Sequence, residues 1–142
     1  MTDPFRLVIP RPIFEAMLAH AQAALPAECC GLLAGTVACG IGQVAQHLPL
    51  VNALSSPTEY ESNPRSMLAA HKAMRAADTD VLAVYHSHPT SDPVPSRRDR
   101  ERNYSEQIMN FIIGLRTAEP DVRAWWLTAD TAHEATWEVD AG

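Results

Sequence analysis

The sequence predicts an α/β fold: a central β-sheet with helices packed against it, in one domain spanning residues 1–142. Three observations carry this. Short apolar runs of strand length recur along the chain. The run at 81–85 is apolar without alternation, the pattern of a strand buried on both faces. Two segments between such runs show helical spacing instead, and the two kinds of element intermix in chain order.

The elements follow in order. Residues 6–9 form a first apolar strand. Pro12 stands where a helix can begin, and Ile13, Met17, Leu18 and Ala21 recur on one face before Pro26 stops it. Residues 31–35, Gly-Leu-Leu-Ala-Gly, make a small-residue strand, and 44–51 another. The polar stretch 55–64 holds two prolines and reads as a loop. An alanine-rich helix follows at 65–77, with Met67, Leu68, His71 and Met74 on one face. The buried strand at 80–85 comes next, and then a loop at 89–95 with three prolines. Ser96 opens a polar helix reaching 108, and strands are expected at 111–115, 122–127 and 135–139.

The net charge of −6 argues against nucleic acid or an anionic membrane as the main partner, although Arg97, Arg98, Arg100 and Arg102 form a local basic spot. Cys29, Cys30 and Cys39 are odd in number and lack a C-x-x-C spacing, which points to a reducing compartment rather than a disulfide framework. The N-terminus shows no signal-peptide pattern, and no apolar stretch approaches the ~18 residues of a membrane span. A soluble, cytoplasmic protein is the expectation.

The chemistry concentrates at 85–99. His86 and His88 stand two apart at the end of the buried strand, so their side chains share one side and can share a metal ion. Asp99 returns eleven residues after His88, in the first turn of the next helix, where exposed N–H groups favour an anion. Two imidazoles and one carboxylate leave a tetrahedral position open, the ligand count of a catalytic zinc site. Asp92 is nearer in sequence, but the motif spacing favours Asp99. Taken alone, H-x-H reads as two surface histidines; the rest of the pattern changes that. A zinc hydrolase also needs a base, and Glu28, directly before Cys29-Cys30-Gly31, is the candidate. Spacing alone reads Glu28 equally as an exposed connector.

The segments E-C-C-G-L-L-A-G from Glu28 and H-S-H-P-x6-S-x2-D from His86 resemble the two halves of the JAMM signature of the MPN+ (Mov34/MPN/PAD-1) metallopeptidases. The likeness extends through Asn52 and Pro57 to Tyr60, covering most of 28–126. It implies a cytidine-deaminase-like sandwich with a central mixed β-sheet. It also implies one zinc ion per chain on His86, His88 and Asp99, Glu28 as general base, and Ser96 as a donor to the oxyanion. Ser96 reads as well as a helix N-cap, and the two roles are compatible. His20, His47 and His71 read as surface or packing residues, His133-Glu134 lacks the second histidine of a zinc motif, and Cys29 and Cys30 read as core.

The chain looks like the stand-alone bacterial members. That implies a peptidase acting after the C-terminal Gly-Gly of a small ubiquitin-like sulfur carrier, ThiS/MoaD-like, either trimming residues beyond Gly-Gly or releasing an amino acid made on the carrier. An extended glycine tail suits addition to a sheet edge. Family members often pair, so a homodimer stays open. Three rivals stay open too: a peptidase for cell-wall or phage-tail peptides, a relative of the RadC group, and a binding module whose zinc is structural, closed by Cys30 as a fourth ligand.

Overall fold

The computed structural model describes residues 5–140. In chain order the elements are β1 (Arg6–Pro10), α1 (Arg11–Ala24), β2 (Cys30–Ala38), β3 (Ile41–Leu50), α2 (Pro64–Ala77), β4 (Asp80–His88), α3 (Arg97–Glu101), β5 (Met109–Gly114), β6 (Asp121–Leu127), β7 (Ala132–Glu134) and β8 (Trp137–Asp140). One mixed eight-stranded sheet runs β7-β6-β5-β4-β2-β3-β1-β8. The predicted α/β class is the one observed.

The strand read as buried on both faces is central. β4 pairs antiparallel with β2 and parallel with β5. Its alternating side chains feed two separate cores. Ala83 and Tyr85 join Leu33, Phe111 and Ile113 beneath α1, which contributes Met17 and Ala21. Val84 joins Cys30, Leu32, Ala34 and Leu50 beneath α2, which contributes Ala70 and Met74. His86 and His88 follow the parity of Val84 and therefore emerge on the α2 face.

A parallel pair cannot be joined by a tight turn. The crossover from β4 to β5 uses residues 89–108, which hold the proline-rich loop and α3. Ser96 and Asp99 are carried on this connection. Trp125 on β6 donates from Nε1 to the carbonyl of Pro93 at 3.0 Å and so ties the loop to the sheet. Trp126 is buried in the core.

Several expectations need correction. β2 and β3 are longer than predicted because they meet in a two-residue hairpin, Cys39-Gly40, with both residues at positive φ (53° and 76°). The helix expected to run from Ser96 to 108 ends at Glu101. Beyond it, Asn103 donates to Leu127 O at 2.9 Å and accepts from Asn110 Nδ2 at 2.9 Å, and Ser105 Oγ accepts from Gln107 N–H at 3.1 Å. These side chains give the chain local and cross-sheet partners that compete with helix. On α2 the stripe against the sheet is Met67, Ala70 and Met74; Leu68 and His71 face outward. The last predicted strand, 135–139, is β8, with the short edge strand β7 before it.

His20 and His47 pack, as expected, but around one atom. His20 Nδ1 and His47 Nε2 each lie 2.6 Å from the buried Tyr85 hydroxyl. That hydroxyl can donate to one ring while accepting from the other, so both neutral imidazoles are satisfied. Gly31 makes room for the Tyr85 ring: a Cβ there would lie 2.2–2.4 Å from its atoms. Gly31→Ala is therefore expected to destabilise the fold by about 1–3 kcal/mol, the usual cost of overpacking, with the urea midpoint as the measurement.

Candidate active site

The register between β2 and β4 builds the site. Cys30 pairs with His86, and Gly31 with Tyr85. Continued by two residues, the antiparallel register sets Glu28 level with His88 on the α2 face. The ladder does continue: Ser87 N–H donates to Cys29 O at 3.2 Å, and Cys29 N–H donates to Ser87 Oγ at 2.8 Å. Proximity that spacing could not supply thus follows from strand pairing. Ser87, on the α1 face, orients the backbone beside Glu28.

His86, His88 and Asp99 come together in a group that could hold a metal ion. His86 Nε2 lies 3.2 Å from His88 Nε2 and 3.2 Å from Asp99 Oδ1. His88 Nε2 lies 3.2 Å from Asp99 Oδ2. Donors placed tetrahedrally at ~2.0–2.1 Å around zinc stand about 3.3 Å apart, so the two nitrogens match that spacing and the Asp99 carboxylate offers each of them an oxygen near it. The tautomers fit as well. His88 Nδ1 donates to the carbonyl of Asp92 at 2.8 Å, which leaves its Nε2 lone pair directed at the group. The His86 ring stacks on Tyr60, with centroids 4.8 Å apart. Its Nδ1 is buried with no hydrogen-bond partner among the described residues, so stacking rather than a second hydrogen bond sets its orientation.

Asp99 is held by a capping box. Its Oδ2 accepts from Ser96 N–H at 2.8 Å, while Ser96 Oγ accepts from Asp99 N–H at 3.1 Å. Burial pushes the Asp99 carboxyl up, but the adjacent His86 and His88 rings, with the hydrogen bond from Ser96 N–H, outweigh it and hold it well below the usual carboxylate range. For His88 burial favours the neutral ring, and contact with Asp99 and the Asp92 carbonyl outweighs it, so its affinity for a proton is raised. Asp92, the nearer acid in sequence, turns its side chain to Arg116 at 2.9 Å and contributes only its carbonyl.

Glu28 is 6% exposed, and burial raises its carboxyl to about 7, with the nearby charges of His88 and Asp99 acting in opposite senses. The loop after β3 fixes its backbone. Glu28 N–H donates to Ser56 O at 2.7 Å, and Asn52 Nδ2 donates to Glu28 O at 3.0 Å and to Glu59 O at 3.1 Å. Asn52 Oδ1 accepts from Leu54 and Glu61 N–H. Asn52 and Tyr60 show no role in the sequence beyond the family resemblance, because their contacts with Glu28 and His86 are long-range. Cys29 is buried on the α1 face, and Cys30 faces a cavity of about 310 Å³ that Glu28 and Asp99 also line.

Residues 10–128 match the family of prokaryotic homologs of the JAB domain, Prok-JAB. The chain belongs to this family. The resemblance read from the two motifs is thereby borne out. Among curated relatives, the CysO-cysteine peptidase of Mycobacterium tuberculosis is 40% identical over 93 residues, 66% of this chain and 62% of that protein. The chain therefore spans less than two thirds of that relative's length. The desampylase of Haloferax volcanii is 37% identical over 102 residues, covering 68% of this chain and 72% of that protein. Protein DSY2949 from Desulfitobacterium hafniense has the same fold in solution: TM-score 0.86, 31% identity, with 96% of this chain and 94% of that one covered. Among the described residues no helix is long and apolar enough to cross a membrane.

The raised Glu28 carboxyl makes a prediction about stability. The native state holds that proton up to about pH 7, whereas in the unfolded chain it leaves near the ordinary 4.5. Between these values the native state binds more protons at this group, so the contribution of Glu28 to the stability of the metal-free protein falls as pH rises from 4.5 to 7 and levels off above. Glu28→Gln removes that contribution. The variant is expected to gain on the wild type with rising pH across this window, and to lose that advantage near pH 4.5, in metal-free denaturation curves.

Proposed function

We propose that the chain is a zinc-dependent peptidase that hydrolyses the peptide or isopeptide bond after the C-terminal Gly-Gly of a ubiquitin-like sulfur carrier protein, ThiS/MoaD-like, in the cytoplasm. The observation that carries the reading is the convergence of three metal-fit donors beside a buried, proton-holding Glu28. Names of the relatives, a CysO-cysteine peptidase and a desampylase, support the substrate class. Free Cys29, Cys30 and Cys39 agree with a reducing compartment.

His86, His88 and Asp99 would hold one zinc ion per chain. When bound, the ion supplies Lewis acidity, which eases loss of a proton from water and polarises the scissile carbonyl. Glu28, poised near neutrality by burial, accepts the proton of the attacking water. The water oxygen bonds to the carbonyl carbon, the C–N bond breaks, and Glu28 returns the proton to the leaving amine. Ser96 serves twice. Its Oγ accepts from Asp99 N–H, which leaves its own proton free to donate to the oxyanion.

A closed structural zinc site would need a fourth protein ligand. Cys30 was the candidate, yet the group of converging ligand atoms comprises His86, His88 and Asp99 alone among the described residues. Burial also pushes the Cys30 thiol up to about 12, away from the thiolate that zinc prefers.

The direct test is intact-mass spectrometry of a Gly-Gly carrier with a short C-terminal extension, incubated with the zinc-loaded protein. Cleavage after Gly-Gly, abolished by chelation, is expected; zinc-bound protein that cleaves none of several carriers would overturn the substrate class. Glu28→Gln should keep zinc by elemental analysis and lose activity, whereas Asp99→Ala should lose both. Ser96→Ala separates its two roles. Loss of the cap costs about 1 kcal/mol of stability, and loss of the oxyanion donor lowers kcat about 10²–10³-fold at saturating zinc.

A further inference from the structure

The loop at 89–95 separates His88 from Ser96 and sends no side chain into the group of metal donors. Its backbone nevertheless bears on one of them. The Asp92 carbonyl accepts from His88 Nδ1 at 2.8 Å. The same carbonyl accepts from Val94 N–H at 2.8 Å, which closes a three-residue turn centred on Pro93. One carbonyl oxygen has lone pairs for both donors. The Pro93 ring fixes φ near ~−65°, close to the value such a turn requires, so the turn behaves as one rigid unit. That unit carries two carbonyls. The Asp92 oxygen is on His88, and the Pro93 oxygen accepts from Trp125 Nε1 at 3.0 Å. Among the described residues these are the only hydrogen bonds from the loop's backbone to groups outside it.

Three contacts bear on where the unit sits, and they differ in weight. Arg116 meets the Asp92 carboxylate at 2.9 Å, but the two side chains are 61% and 63% exposed, and solvated pairs of this kind contribute little. The buried Pro93 ring stands against Gly114, where a Cβ would lie 2.8 Å from Pro93 Cδ. That contact sets a distance and not a direction. Trp125 supplies the direction, because an N–H donor is effective only when aimed at its acceptor. Its strand is paired on both sides, with Asn110 of β5 and Glu134 of β7 opposite it. Its neighbours Ala124 and Trp126 point into the core under α1, so Trp125 stands on the face from which His86 and His88 emerge.

We infer that Trp125 is a positioning residue for the zinc ligand His88. Its indole N–H holds the Pro93 turn so that the Asp92 carbonyl meets His88 Nδ1–H. The ring is thereby kept in the tautomer with a free Nε2 lone pair, and that lone pair is aimed at His86 and Asp99. Gly114 serves the same end by admitting the Pro93 ring, and Arg116 adds little. The consequence for metal binding rests on the zinc reading of the site; the geometry rests on the hydrogen bonds alone.

The test takes two readings on the same variants. Trp125→Phe keeps an aromatic ring and loses the donor, and Gly114→Ala displaces Pro93. Loss of an outer partner of a metal-bound histidine costs ~10–100-fold in affinity, and Trp125 acts one residue further out, so zinc affinity in each variant should fall about tenfold, by competition with a chromophoric chelator. Arg116→Met should lose less than about twofold. In isotope-labelled wild type the His88 Nδ1 proton should give a slowly exchanging NMR signal, and both variants should exchange it faster. A merely structural role for Trp125 would leave that proton protected. Zinc affinity within about twofold of the wild type in Trp125→Phe, or an Nδ1 proton that stays protected there, overturns the inference. So does an Arg116→Met protein as deficient as Trp125→Phe. Where Trp125→Phe does not fold, Gly114→Ala decides by the same two readings. A wild type that binds no zinc overturns the metal reading, and the Nδ1 proton, read in the metal-free protein, still decides the positioning.

Discussion

Two imidazole nitrogens lie 3.2 Å apart, and each lies 3.2 Å from one oxygen of the same carboxylate, in a largely buried site. Among themselves these groups have few protons to share, and positive charge at their centre stabilises the arrangement. A metal ion supplies that charge directly; without one, His88 is driven toward protonation by Asp99. The rest of the fold is arranged to hold the three groups there. The central strand delivers both histidines on one face, the crossover returns Asp99 to them, and the Ser96 capping box fixes the carboxylate on its short helix.

Burial then acts in opposite ways on two carboxylates. Asp99 has hydrogen-bond donors enough to stay ionised, while Glu28 has its backbone anchored but its carboxyl desolvated, and rises to about 7. One acid is therefore kept as a ligand-ready anion and the other as a proton carrier, a division of labour set by environment rather than residue type. Asn52 links this environment to the loop after β3, and Tyr60 from the same loop covers His86. The loop is thus part of the site, although it contributes no metal donor.

Much of this was legible in the sequence because it depends on local pattern. The continuous apolar run before His86 marks a central strand, H-x-H fixes both rings on one face, and Pro12 and the Ile13–Met17–Ala21 spacing mark α1. What was not legible depends on pairing across the chain. Nothing near Glu28 announces that it stands level with His88; the β2–β4 register does that. The stop of α3 at Glu101 follows from Asn103 reaching β5 and β6, and the Tyr85 hydroxyl gathers His20 and His47 from elements 38 and 65 residues away. The Cys39-Gly40 hairpin was in principle readable, since a glycine between two strand patterns signals a tight turn.

The measurement that bears most directly on this account is metal analysis with X-ray absorption spectroscopy of the protein loaded with zinc. The account predicts one zinc ion per chain with only nitrogen and oxygen neighbours, two of them imidazole, at ~2.0–2.1 Å. A sulfur neighbour at ~2.3 Å would close the site through cysteine, and failure to bind zinc would leave the three converging donors without a purpose; either result contradicts it.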